Sequence, residues 1–260
     1  MDALDAVEIA RRLGVPGVAV RVMARCGSTN AELLARAFEG GDRQLLAAEE
    51  QTAGRGRRGR RWRSAAGAGA TFSVLARFAR PPAALSGLSL AVGVAAARGL
   101  RALGLSQLAL KWPNDLYAAG AKLGGILVET RQQDARTAAV IGIGINCRAS
   151  PGLAARLRRR IAYLDDFVHP PPARNLIIAA VAREVLAAAA AFERSGLAAF
   201  AEEWRMLHAD EGRRLRVRLA DGRVVSGVAA GVAASGALRL RTRAGLREVA
   251  SGSVLREHAA

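Results

Sequence analysis

After about Leu207 the chain offers no segment long enough for a helix. LRVRLA (215–220), DGRVVSGVAAGV (221–232), GALRLRT (236–242) and GLREVASGSVLRE (245–257) follow one another as short apolar-alternating runs. AspGly at 221–222, SerGly at 235–236 and AlaGly at 244–245 punctuate them, and such dipeptides turn strands back on themselves. About 50 residues of this kind suggest a small β-barrel, SH3-like in size. The residues before them read differently, with strands expected at 17–25, 44–50, 70–78, 108–112, 123–130 and 137–146. A helix over AELLARAF ends at Gly40 and Gly41. A long Ala/Leu/Gly helix is expected over 83–103, and a helical region over 154–208, broken at HisProProPro (169–172). The expected organisation is an α+β fold: a mixed-sheet domain over 1–208 and a β domain over 209–260.

Several classes of function are disfavoured. No run of about 18 apolar residues suggests a membrane span. The first residues, MDALDAVEIARR, are acidic and carry no apolar stretch of the kind a secretory leader needs. Cys26 and Cys147 lie far apart with no metal-type spacing, so a reduced, cytoplasmic protein is expected. The formal charge of +17 invites a nucleic-acid partner, but the positive residues are spread along the chain and aromatics are only 4%. Stacking platforms for single strands need aromatics among the basic residues. Two of the 39 basic residues are lysines, Lys111 and Lys122, and the other 37 are arginines. An ammonium is a compact point charge where a guanidinium is a wide fork. The two lysines therefore mark places where the fork does not fit.

Four stretches carry polar chemistry. SerThrAsn at 28–30 opens a helix; Thr29 with Glu32 three residues on reads as a capping box, and the helix start also offers hydroxyls, an amide and free N–H groups to a ligand. QTAGRGRRGRRW (51–62) combines Gly54, Gly56 and Gly59 with five arginines. A solvated basic loop has no need of such glycines, whereas a backbone folding tightly over phosphate or carboxylate oxygens does. The loop lacks the GlyLysSer/Thr end of a P-loop. LKWPNDLY (110–117) sets Lys111, Trp112, Asn114 and Asp115 at a strand end turned by Pro113, and the Asn–Asp pair is also an ordinary turn former. Lys122 sits beside Gly124 and Gly125, where bare backbone admits a ligand. GIGIN (142–146) reads first as a small-residue buried strand ending at Asn146.

Taken in order, SerThrAsn, QxAGRGRRGRxW, KWPNDLY, KLxGIL with Glu129 after it, and GxGIN resemble the biotin protein ligases. The resemblance covers nearly the whole chain once the C-terminal β unit is included. It implies a class II synthetase-like catalytic domain with an SH3-like C-terminal barrel and a two-step reaction. Biotin carboxylate attacks the α-phosphorus of ATP to give biotinyl-5′-AMP and pyrophosphate. A lysine of a biotin carboxyl carrier protein then displaces AMP. By the same resemblance, Ser28, Thr29, Asn30, Gln51, Arg55, Gly56, Arg57, Lys122, Gly124 and Gly125 serve biotin. Arg57, Arg60, Trp62, Lys111, Asn114, Asp115, Asn146 and Arg256 serve ATP. Lys122, Arg57 and Lys111 carry the catalysis, and Asp115 is the candidate ligand for Mg2+. Closure of the 51–63 loop over the anhydride would shield it from water.

Gly27 stands where many members carry Asp. Only 27 residues precede SerThrAsn, too few for the winged helix of bifunctional members, so DNA repression is not expected. Homodimers through a sheet edge are frequent in the family. A basic nucleic-acid-binding protein and a lipoyl or octanoyl ligase on a related fold are the alternative readings.

Overall fold

The computed structural model describes residues 2–63, 65–149 and 160–255. Two sheets organise it. The larger is seven-stranded and mixed, built from β1 (Val18–Cys26), β2 (Arg43–Gln51), β3 (Gly69–Phe78), β4 (Leu108–Lys111), β5 (Asp115–Ala118), β6 (Ala121–Gln133) and β7 (Arg136–Asn146). Its order is β1-β2-β3-β7-β6-β5-β4. The β1–β2 pair is parallel and the remaining neighbours are antiparallel. β3, between β2 and β7 in the interior of the sheet, is buried along almost its whole length. Helices α3 (Leu88–Arg101) and α4 (Arg174–Ser195) pack on one another over one face. A Cβ on Gly99 of α3 would lie 2.9 Å from Val181 Cα of α4, so glycine sets how near the two axes come. On the other face, α2 (Thr29–Ala35) contributes Leu33 to a smaller cluster with Leu46, Leu75 and Val140.

Several elements depart from the sequence reading. Helix α1 (Ala6–Leu13) was not expected, although Asp5 accepts from Glu8 N at 2.8 Å and Gly14 closes it at φ +62. The 83–103 helix begins only at Leu88, because Gly87 adopts φ +87 after a 3-10 turn over Pro82–Leu85. LKWPNDLY is a hairpin: β5 returns along β4 with Asp115 opposite Lys111. The expected RQQDAR turn shrinks to its tip, since β6 runs through Gln133 and Asp134 takes φ +52. Part of the expected 154–208 helical region falls outside the described residues. Two stretches, Pro82–Arg101 and Arg174–Ala199, are long and apolar enough to cross a membrane by length and composition. They are 67% and 61% buried, so their apolar surface already lies against protein.

The second sheet holds β8 (Arg214–Arg218), β9 (Val224–Val232), β10 (Leu238–Thr242), β11 (Gly245–Val249) and β12 (Ser253–Leu255), in the order β11-β10-β9-β8-β12, all antiparallel. Leu215 and Val217 of β8 point inward while Arg214, Arg216 and Arg218 face solvent, the period-two pattern of a sheet with one wet face. The expected 208/209 division falls between α5 (Ala201–Leu207) and β8. The buried Trp112 joins the two units, its Nε1 donating to Gly236 O at 3.1 Å. Ser86 Oγ donates to Ser235 O at 2.7 Å.

His208 sits at this junction. It stacks on Trp204 with ring centroids 4.4 Å apart, its Nδ1 lies 3.2 Å from Glu211 Oε2, and its Nε2 is buried with no partner among the described residues. Burial holds the imidazole below its ordinary pKa despite the neighbouring Glu211 and Asp210 carboxylates. The unfolded chain therefore takes up this proton more readily than the folded one. Stability from neutral His208 is present above about pH 6.5 and is lost as the pH falls through the depressed folded value. Melting temperature measured from pH 7.5 downward is expected to fall more steeply for the native protein than for His208→Gln. Parallel curves would show that this imidazole does not drive the change.

Candidate active site

A cavity of about 590 Å³ opens between the large sheet, the 51–62 loop and the C-terminal strand. Its lining is strongly cationic. Arg55, Arg57, Arg58, Arg60 and Arg61 come from the loop, and Lys111, Lys122 and Arg160 from elsewhere, against the one carboxylate, Asp115, among the described residues of the wall. Such a wall favours an anionic ligand. Gly252, Ser253 and Val254 of the C-terminal unit also line it, which the sequence reading missed.

At one end the start of α2 meets the sheet. The N-cap is Ser28, one residue before the expected Thr29, and its side chain makes no capping hydrogen bond. The capping box with Glu32 therefore does not form. Instead Gln51 Oε1 accepts from Thr29 N at 2.7 Å and from Thr29 Oγ1 at 3.1 Å. Asn30 is fixed on all sides. Its Oδ1 accepts from Ser73 Oγ at 2.6 Å, and its Nδ2 donates to Glu129 Oε2 at 2.9 Å and Leu127 O at 3.2 Å. Ser28, Thr29 and Asn30 are all buried, and all line the cavity. Burying this many polar groups is tolerable only because they are paired with one another or reserved for a ligand.

The loop is a short hairpin, with Arg55 bridged to Arg61, Gly56 N donating to Arg60 O at 2.7 Å and Trp62 N donating to Gly54 O at 3.0 Å. Its glycines have separate reasons. A Cβ on Gly54 would lie 2.6 Å from Trp62 O, and Gly59 takes φ +71 at the turn. Two arginines anchor the base: Arg55 pairs with Glu129 at 2.8 Å, and Arg61 Nη2 donates to Thr52 O at 2.7 Å. The side chains of Arg57 and Arg60 make no hydrogen bond or ion pair among the described residues. Arg57 is half-buried, and burial together with Arg58 lowers its pKa, an effect that Asp115 opposes and Arg60 reinforces. The guanidinium stays charged at neutral pH. Trp62 lays its indole on Gly144, whose added Cβ would lie 2.3 Å from the ring. Trp62 Nε1 and Thr71 Oγ1, both in the cavity wall, are buried with no hydrogen-bond partner among the described residues.

The β4–β5 hairpin and β6 supply the far end. Lys122 is ion-paired with Asp115, their side chains 13% and 25% exposed. A Cβ on Gly125 would lie 3.3 Å from Lys122 Nζ, so bare backbone faces the ammonium here. Lys111 lies 3.9 Å from Asp210 and 5.3 Å from the Tyr117 ring centroid. Asn114 Nδ2 donates to Ile126 O at 2.6 Å, holding the hairpin tip against β6.

Three expectations fall differently. Asn146 is absent from the cavity wall; its Nδ2 donates to Lys122 O at 3.3 Å and Ala162 O at 3.4 Å, tying β7 to the segment after residue 160. Gly124 is likewise not in the wall, and a Cβ there would lie 2.5 Å from Gly144 O, so its bareness serves strand packing. Arg256 lies outside the described residues. Among the described residues, no three His, Cys, Asp or Glu side chains gather as a metal site. Glu129, which orients both Asn30 and Arg55, was quoted in the sequence motif without a role.

Residues 25–146 match the biotin/lipoate A/B protein ligase family, and residues 212–256 match the biotin protein ligase C-terminal domain. The chain is 37% identical to the bifunctional ligase/repressor BirA of Escherichia coli (strain K12) over 92% of this chain and 74% of that protein. It is 37% identical to the biotin–[acetyl-CoA-carboxylase] ligase of Mycobacterium tuberculosis over 90% of this chain and 87% of that one. The fold resembles the biotin protein ligase from Aquifex aeolicus in complex with biotin and ATP, with a TM-score of 0.78, 24% identity, and 92% and 99% of the two chains covered. It also resembles the Helicobacter pylori biotin acetyl coenzyme A carboxylase synthetase with bound biotinylated ATP, with a TM-score of 0.63, 25% identity, and 89% and 99% covered.

Proposed function

The chain belongs to the biotin protein ligase family, and from that premise we infer how its cavity works. It activates biotin with ATP to biotinyl-5′-AMP and transfers the biotin to a protein lysine. The acceptor in this reading is the carrier domain of a biotin-dependent carboxylase. The observation that carries the assignment of roles is the cavity's charge: eight cations and one carboxylate around a space whose opposite end holds a buried polar network.

The buried Ser28–Thr29–Asn30 cluster, braced by Gln51, receives the polar head of biotin. The vitamin's carboxylate then lies toward Lys122. Lys122 draws the carboxylate and the α-phosphate together, and the entering anions compete with Asp115 for its ammonium. Arg57 and Arg60 grip phosphate oxygens, and Lys111 and Asn114 lie on the nucleotide side. Trp62 offers its unpartnered Nε1 and its ring to the nucleotide. The carboxylate oxygen forms a bond to the α-phosphorus as the bond to the β-phosphate oxygen breaks, and pyrophosphate leaves. Fixed cations stabilise the charge that builds on the phosphoryl oxygens without reorganising. In the second step the acceptor amine attacks the carbonyl carbon of the anhydride, AMP leaves, and the amine loses its proton.

Mg2+ fits this donor set as an ion carried in by the nucleotide: one carboxylate, Asp115, is what such an ion takes from a protein when phosphates supply the rest. It would screen the phosphate charges. The two free, buried cysteines support a reducing, cytoplasmic setting, and burial pushes the Cys147 thiol up to about 12.

Biotin-dependent exchange of labelled pyrophosphate into ATP tests the first step, and transfer of biotin to a purified carrier domain tests the second. Both are expected with biotin and neither with octanoate or lipoate. Exchange supported by octanoate would move the chain to the other branch of its family.

A further inference from the structure

We propose that Arg58 is a positioning residue that clasps the tip of the glycine–arginine loop to the C-terminal β unit, and thereby fixes where its neighbour Arg57 points in the cavity. Arg58 Nη2 donates to Ser251 Oγ at 2.9 Å and Nη1 donates to Ser253 Oγ at 3.2 Å. The partners lie 193 and 195 residues along the chain, so only the docking of the two units brings them together. Both serines belong to the stretch that enters β12, and Ser253 itself lines the cavity.

The backbone at Arg58 gives an independent reason. It adopts φ +55, ψ +43 within the 3-10 turn over Arg57–Gly59, the left-handed region that a residue with a Cβ avoids. Gly59 beside it could take that conformation freely, and does so at φ +71. A residue with a side chain holds such a conformation where its surroundings over-determine it. Here the fork of the guanidinium reaches two hydroxyls at once, each from its own nitrogen. The loop's arginines thus divide the work. Arg55 and Arg61 tie its base to the catalytic domain, Arg58 ties its tip to the other unit, and Arg57 and Arg60 are left to face the ligand. Without the clasp, a loop jointed at Gly54, Gly56 and Gly59 retains only its base.

Hydrogen–deuterium exchange of the 54–62 peptide in the ligand-free protein tests this. The ladder amides of Gly56 and Trp62 report the loop directly. Arg58→Ala is expected to speed their exchange about 3- to 10-fold, the scale of a lost exposed hydrogen-bonded pair. The double variant Ser251→Ala/Ser253→Ala is expected to do the same, and the triple variant no more than either. Independent roles would instead multiply the effects. Exchange at the native rate in the serine variant, or multiplicative effects, would overturn the proposal. The serine variant alone decides the matter should Arg58→Ala fail to fold. The consequence for catalysis rests on the biotin-adenylating reading: the KM for ATP rises by the same factor in all three variants. Coupled loop exchange in a protein inactive toward biotin would keep the clasp and discard that reading.

Discussion

Replacing Lys122 with alanine is expected to lower biotin-dependent pyrophosphate exchange by about 10³-fold, the upper end of what one fixed donor in a water-excluded site contributes. Two effects act in the same direction. The variant loses the cation that brings two anions together, and it leaves Asp115 facing them. In the intact site the Asp115 charge is matched by Lys122, with both side chains largely buried. With the ammonium gone, the Asp115 carboxylate in the wall repels both the biotin carboxylate and the α-phosphate. Lys122→Arg is expected to fall between native and alanine, since a guanidinium keeps the charge but not the compact point-charge geometry of the ammonium. Melting curves close to that of the native protein would separate these losses from unfolding. Exchange at the native rate in Lys122→Ala would remove this lysine from the reaction.

Lys122 and Lys111 stand out in the sequence by counting, as two lysines among 39 basic residues, and both line the cavity. The loop was legible through its glycines, and two of them have the tight approach or positive φ that such residues signal. Other parts of the site left weaker marks. The clasp joins residues nearly two hundred positions apart, and no local pattern encodes it. Hairpin β4–β5 was hidden because its turn residues also read as a strand end. Asn146 looked like a ligand contact because it closes a motif, yet its amide is used up on backbone carbonyls. Helix α1 carries its signals, an aspartate cap at Asp5 and a glycine stop at Gly14.

The strand GIGIN shows best what periodicity alone conceals, and it carries the second large expected effect. Gly142 and Gly144 are two apart on β7, so they look out from the same face. Neither has a positive φ, so conformational freedom does not explain them. Space does: Asn30 Oδ1 lies 2.3 Å from where a Cβ on Gly142 would stand, and the Trp62 ring 2.3 Å from where one on Gly144 would stand. The bare face of this strand is the floor of the cavity. The two positions should nevertheless respond differently. Trp62 sits on a loop that can shift, whereas Asn30 is held by Ser73, Leu127 and Glu129 and starts a helix packed on the sheet. Gly142→Ala must therefore break Asn30's hydrogen bonds or bend the central strands, at about 1–3 kcal/mol of overpacking. Biotin affinity measured by calorimetry is expected to drop about 10- to 100-fold, with a lower melting temperature. Gly144→Ala is expected to weaken ATP binding more than biotin binding. Native biotin affinity in Gly142→Ala, in a protein whose melting temperature has fallen, would mean that the head of the vitamin rests somewhere other than on Asn30.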